Sequence, residues 1–117
     1  MAGDYILIVE DNRVLRQLCA DILASVGYRP IATPTAATAQ KLAQEHRFRL
    51  AVIDLGLPDH DGYELALLLR LPTILISGQV AQSDPRLQKL PPSIRFMKKP
   101  FRVPHFLDVA AGLIGSS

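Results

Sequence analysis

Short apolar runs alternate with stretches of helical periodicity along the whole chain, and this alternation leaves few architectures open. "YILIV" (5–9) is continuous and β-branched, the pattern of a strand buried on both faces. A predicted helix over 13–26 follows, in which Val14, Leu18, Ile22 and Val26 recur at every fourth position. Leu15, Cys19 and Leu23 widen that stripe. Asp11 or Asn12 can cap its start, and Gly27 can end it. "YRPIAT" (28–33) is a second strand whose Pro30 suits a sheet edge. Thr35 caps an Ala-rich helix to about His46, and "RLAVID" (49–54) is the third strand. The Gly56, Pro58 and Gly62 region reads as loop, with a short helix from there to about Arg70. "TILIS" (73–77) and "IRFMKK" (94–99) complete the strands, and a helix from about Pro104 to Gly112 closes the chain.

Strands that alternate with helices in this way lie parallel, joined by right-handed crossovers that place helices on both faces. The expectation is an α/β fold, a doubly wound five-stranded parallel sheet. No repeat or linker interrupts the 117 residues, so one domain over 1–117 accounts for them. With 49% hydrophobic and 21% charged residues, the chain has the composition of a compact core-forming protein. The net charge of +2 comes from scattered basic residues and gives no argument for direct nucleic-acid binding. Cys19 is the lone cysteine, which rules out an internal disulfide or a cysteine metal cage and suits a reducing compartment. Asp4, Glu10 and Asp11 break up the N-terminal apolar run, so it does not read as a signal peptide. Arg70 and Pro72 split the apolar segment "ELALLLRLPTILIS" well short of a membrane span. A cytoplasmic location is expected.

In a parallel sheet all strands end on one side, and ligands bind outside those carboxyl ends, where the winding reverses. Strand one stops at Glu10 and Asp11, strand three at Asp54, and strand four at Ser77. Strand five stops at Lys98, Lys99 and Pro100. Three carboxylates, a hydroxyl and at least one ammonium therefore meet at one edge. Carboxylates at close range destabilise one another, and a hard cation such as Mg²⁺ relieves the repulsion. The residue pattern thus points to a metal held by Glu10 and Asp11 beside Asp54, with a lysine nearby.

"ILIVEDN", "VIDLGLPDHDGYEL", "TILIS" and "KKPF" resemble the receiver domain of bacterial two-component response regulators, in order and over essentially the whole chain. The resemblance implies a flavodoxin-like sheet. It implies a signalling switch in a phosphorelay rather than an enzyme with a separate substrate. Asp54 would accept a phosphoryl group from a phosphohistidine of a sensor histidine kinase or a histidine phosphotransfer protein. Glu10, Asp11, Asp54 and the backbone carbonyl of Gly56 would hold Mg²⁺. Lys99, directly before the proline, would pair with a phosphoryl oxygen, which selects it over Lys98. Ser77 would move to bond another oxygen, and Phe96 would shift into the space vacated. The Lys99–Pro100 peptide would be cis. No output domain is expected on this chain.

Simpler roles stand beside these. Asp54 could cap a loop, Glu10 and Asp11 could complement a helix dipole, and Phe96 could merely pack. Asp59 and Asp61 read as turn residues, and Cys19 as core. The sequence also departs from the receiver pattern. Glu10 replaces the commoner Asp, and the interval from Asp54 to Ser77 is shorter by roughly two helical turns. A shortened third helix is therefore expected. Pro85, Pro91 and Pro92 break "GQVAQSDPRLQKLPPS" (78–93), leaving a short or broken fourth helix. An aspartyl phosphatase would need a second acid two residues after Asp54, where Gly56 stands. A flavin carrier would place an anion cradle where Glu10 and Asp11 lie. The remaining alternative is a receiver-like interaction module that accepts no phosphate.

Overall fold

The computed structural model describes residues 3–78 and 84–115. The chain runs β1 (Tyr5–Val9), α1 (Arg13–Ser25), β2 (Arg29–Thr33), α2 (Ala36–Glu45), β3 (Phe48–Asp54), α3 (Gly62–Leu69) and β4 (Thr73–Ser77). A 3-10 turn (Pro85–Lys89), β5 (Ile94–Lys98) and α4 (Val103–Gly115) follow. All pairings are parallel and the strand order is β2-β1-β3-β4-β5. This is the doubly wound five-stranded sheet expected, with Pro30 on an edge strand. The winding reverses between β1 and β3.

Strand periodicity divides the core into two layers. Ile6, Ile8, Leu50, Val52, Ile74, Ile76 and Met97 pack against α1 and α4, through Cys19, Ile22, Leu23, Phe106 and Val109. Leu7, Val9, Ala51, Ile53 and Leu75 face the other way, against Ala36 and Ala39 of α2 and Leu65 and Ala66 of α3. Each inner strand is buried on both faces, as its unbroken apolar sequence requires.

The stripe on α1 differs from the expected one. Cys19, Ile22 and Leu23 are buried and Leu15 packs against them, but Val14 is 78% exposed and Leu18 and Val26 are also exposed. A strict four-residue repeat advances about 40° per step on a helix, so the 14-18-22-26 series spirals off the buried face. Asn12 is the N-cap, accepting from Leu15 N–H at 3.0 Å, and Gly27 (φ +97°) follows the C-cap Val26. Thr35 caps α2 as expected. Asp59 does not stay local: its carboxylate accepts from Ala36 N–H and Ala37 N–H, tying the loop after β3 to the first turn of α2.

The third helix is short, eight residues, and ends on Arg70 in the left-handed conformation (φ 56°). In place of a fourth helix the described residues hold only the five-residue 3-10 turn with Pro85 in its first positions; residues 79–83 of the proline-broken segment lie outside the described residues. Charge fixes this turn to α3. The Arg86 guanidinium donates to both Asp61 oxygens at 2.6 and 2.9 Å, to Asp84 at 2.7 Å, and sits 4.9 Å from the Tyr63 ring centroid. Asp61 in turn caps α3 through Glu64 N–H.

Candidate phosphoryl and metal site

Register explains how the pocket assembles. Val9 lies opposite Ile53, so Glu10, one residue further, comes beside Asp54 at the reversal of winding. Ile76 lies opposite Asp54, and Ser77 pairs with Lys98, which brings Lys99 to the same edge. Along the pleat, Glu10 and Asp54 continue the face of Ile8 and Val52, the α1/α4 side, and Lys99 follows Met97 onto it. Ser77 and Phe96 belong to the opposite side, with Leu75.

Three of the expected residues meet in direct contact. Lys99 Nζ lies 3.2 Å from Asp54 Oδ2 and 3.1 Å from Glu10 Oε1. Carboxylate oxygens of Glu10, Asp11 and Asp54 all lie within 4.8 Å of one another. Glu10 is fully buried and Asp54 is 6% exposed, while Asp11 is exposed and marks the open side. Gly56 contributes its amide, which donates to Asp54 Oδ1 at 3.0 Å. Ser77 is buried at the rim and its carbonyl accepts from Lys99 N–H at 2.8 Å. Phe96 is half-buried and Lys98 exposed. The Lys99–Pro100 peptide is cis. Cys19 is core, its thiol pushed up to about 12 by burial and then by the charge of Glu10.

Two acids share one lysine, and the electrostatics follow. Burial, the hydrogen bond to Asp54 and that group's charge raise the Glu10 pKa to about 7, although Asn12 N–H and Lys99 pull it down. For Asp54 burial alone acts upward, but the hydrogen bond from Glu10, the Gly56 amide and Lys99 hold its carboxyl below the usual range. Lys99 is desolvated, yet its two carboxylate partners raise it. Of the two acids Asp54 therefore ionises first and Glu10 last. Glu10 Oε1, an ion partner of Lys99, makes no hydrogen bond and is the one such buried side-chain oxygen among the described residues. A buried oxygen matched only by the Lys99 ion pair, among three clustered carboxylates, fits a hard divalent cation, and Glu10, Asp11 and Asp54 could bind one.

A pH dependence follows. With an unfolded pKa near 4.5 and a folded value of about 7, Glu10 binds more proton in the folded state between those limits. Its contribution to stability therefore declines as pH rises through that window, by up to about 3 kcal/mol. The depressed Asp54 works the other way, losing stability as pH falls below its ordinary value of 3.8. Urea unfolding with a chelator present is expected to show greatest stability in mild acid and a decline toward pH 8. Glu10→Gln is expected to flatten that decline.

Sequence reasoning passed over two residues at this site. Where the sequence suggests loop, Gly62 opens α3 directly against β3. A Cβ there would stand 2.2 Å from the Asp54 carbonyl oxygen and 2.7 Å from Leu55 Cα. Arg16 was not singled out at all. Its Nη1 donates to the carbonyl oxygens of Glu10 at 2.9 Å and Asp11 at 3.4 Å. An Asp-Gly pair ahead of a helix carries some signal for the first, whereas nothing in the sequence marks the second.

Fold and pocket together define the receiver class of doubly wound α/β domains. The chain belongs to the response regulator receiver domain family, whose sequence pattern matches residues 6–110. It is similar to the polar-differentiation response regulator DivK of Brucella anthropi, 28% identical with 96% of this chain and 97% of that protein covered. Among solved structures it resembles a response regulator receiver protein from Sinorhizobium medicae, with TM-score 0.87, 21% identity and coverage of 97% and 96%. It also resembles the receiver domain of a sensor histidine kinase from Pseudomonas aeruginosa, with TM-score 0.83, 28% identity and coverage of 97% and 99%. That receiver carries a magnesium ion coordinated in its active-site cleft. Among the described residues no helix is long and apolar enough to cross a membrane.

Proposed function

We propose that this chain is a phosphoaccepting switch, taking a phosphoryl group onto Asp54 from a phosphohistidine of a sensor histidine kinase or a histidine phosphotransfer protein. The observation that carries this reading is the Asp54 carboxylate kept ionised beside Lys99, at 3.2 Å, within the acidic cluster. A carboxylate oxygen of Asp54 attacks phosphorus, the P–N bond to the imidazole breaks as the P–O bond forms, and the imidazole leaves with its electron pair. Mg²⁺, held by Glu10, Asp11 and Asp54 with the Gly56 carbonyl, would neutralise phosphoryl charge. Lys99 supplies a fixed cation for a phosphoryl oxygen, and Ser77 a hydroxyl for another. Ser77 lies on the same side of the sheet as Phe96, so its displacement is transmitted to that ring and the adjacent surface. The setting proposed for this switch is the cytoplasm, and its target a partner protein rather than nucleic acid or membrane.

The test is incubation with Mg²⁺ and acetyl phosphate followed by intact mass measurement. Wild type is expected to gain one phosphoryl group. Lys99→Ala is expected to gain it too, but to lose the amide chemical-shift changes around Ser77 and Phe96 that accompany it in wild type. The short 3-10 turn in place of a fourth helix favours one other reading, a binding module without phosphorylation. Wild type that stays unmodified, with small donors and with kinases alike, would decide for that module.

A further inference from the structure

The reading above rests on Glu10 and Asp11 being aimed at one point, although Asp11 lies outside β1 and is exposed. We propose that Arg16 is the positioning residue that aims Asp11, gripping the β1–α1 turn by its main chain and leaving both carboxylates free for a cation.

Arginine beside carboxylates frequently pairs with them in a bidentate fork. Such a pair here would place a permanent counter-charge in the pocket. Among the described residues the Arg16 guanidinium instead reaches the carbonyl oxygens of Glu10 and Asp11. Those two carbonyls belong to the peptide planes on either side of the Asp11 Cα. Bridging both through Nη1 restrains φ and ψ of Asp11, and with them the direction of its Cα–Cβ bond. The other bonds of the turn hold its neighbours: Glu10 N–H donates to Thr33 O, and Asn12 N–H donates to Glu10 Oε2. Arg16 is thus the contact that orients Asp11. It serves this role from α1, whose start is independently fixed by the Asn12 cap.

This role and simple electrostatics predict opposite results. Removing a positive charge near a cation site strengthens cation binding if charge is all that matters. Removing the grip on the turn weakens it, by about tenfold on the scale known for residues that orient metal ligands. Mg²⁺ titration by calorimetry on the full chain is expected to show Arg16→Ala binding about tenfold more weakly than wild type, with Arg16→Lys between the two. In the metal-free state, hydrogen exchange of the amides at 11 and 12 is expected to quicken in Arg16→Ala while strand amides stay as in wild type. Unchanged or tighter Mg²⁺ binding by Arg16→Ala overturns the proposal. So does a loss accompanied by faster exchange throughout the sheet, which marks a merely structural residue. Should Arg16→Ala fail to fold, Arg16→Lys against wild type decides by the same two measurements. Wild type that binds no Mg²⁺ sinks the site reading itself, whereas wild-type binding matched by Arg16→Ala sinks only the role of Arg16.

Discussion

Asp54→Asn is expected to abolish phosphoryl uptake completely and, at neutral to alkaline pH, to make the metal-free protein more stable. The first effect is chemical: an amide oxygen is not a nucleophile toward phosphorus, and no other carboxylate in the pocket is held ionised against a cation in this way. The second comes from the charge count. Lys99 contacts two acids, so full ionisation leaves the buried cluster with an excess negative charge. Asparagine keeps an acceptor for the Gly56 amide and leaves Glu10 and Lys99 as a balanced pair. The proton on Glu10 is then no longer favoured by a neighbouring carboxylate, and its pKa is expected to fall from about 7. Relief of that repulsion is worth about 1–2 kcal/mol at an effective dielectric suited to proteins, or roughly 4–8 °C in thermal midpoint for a domain of this size. Melting at pH 8 with a chelator measures it, and Mg²⁺ should close the gap by stabilising wild type more. A phosphorylated Asp54→Asn protein would place the acceptor elsewhere. A lower midpoint than wild type would mean that the carboxylate stabilises the fold rather than straining it.

A pocket that strains its own fold is also why so much of it could be read from sequence. Acids that end buried strands run against burial, and that conflict stands out wherever strand periodicity is plain. β4 was located to the residue, and β3 to within one, because unbroken β-branched runs have sharp ends. The convergence of Glu10, Asp54 and Lys99 then followed from topology alone, since parallel strands must finish on one side. Features set by tertiary approach were not legible. Val14 and Leu18 look apolar in any window, and only the packed position of α1 decides that Leu15 and Cys19 face inward. Asp59 reads as a turn residue because its partners, the amides of Ala36 and Ala37, are remote in sequence. Arg86 gave no signal either. The prolines pointed to a short or broken fourth helix, but not to Asp61, Asp84 and Tyr63 as the groups that hold the 3-10 turn found there.

Gly62 is the clearest case of a requirement visible only in three dimensions, and Gly62→Ala is expected to be strongly destabilising. In a helix the exchange of glycine for alanine ordinarily stabilises, by about 0.5–1 kcal/mol. Here the added carbon would stand 2.2 Å from the Asp54 carbonyl oxygen and 2.9 Å from its carbonyl carbon. Both are main-chain atoms of a central strand that carries Leu55 N–H to Ile76 O and Gly62 N–H to Leu55 O. Neither can turn aside as a side chain could. Relief requires the start of α3 to lift away, which opens the Gly62–Leu55 bond and displaces the Asp61 cap together with its Arg86 clamp. Alternatively the Asp54 peptide rotates and carries the carboxylate off Lys99. Overpacking against backbone of this kind costs about 3 kcal/mol or more, a fall of roughly 10 °C in thermal midpoint. Gly112, inside α4, is the control, because a Cβ there meets nothing within 4 Å. Gly112→Ala is expected to raise the midpoint slightly, while Gly62→Ala lowers it and slows acetyl-phosphate labelling of whatever remains folded. Equal midpoints for the two variants would show that α3 does not press on β3, and the placement of Asp54 would then need another explanation.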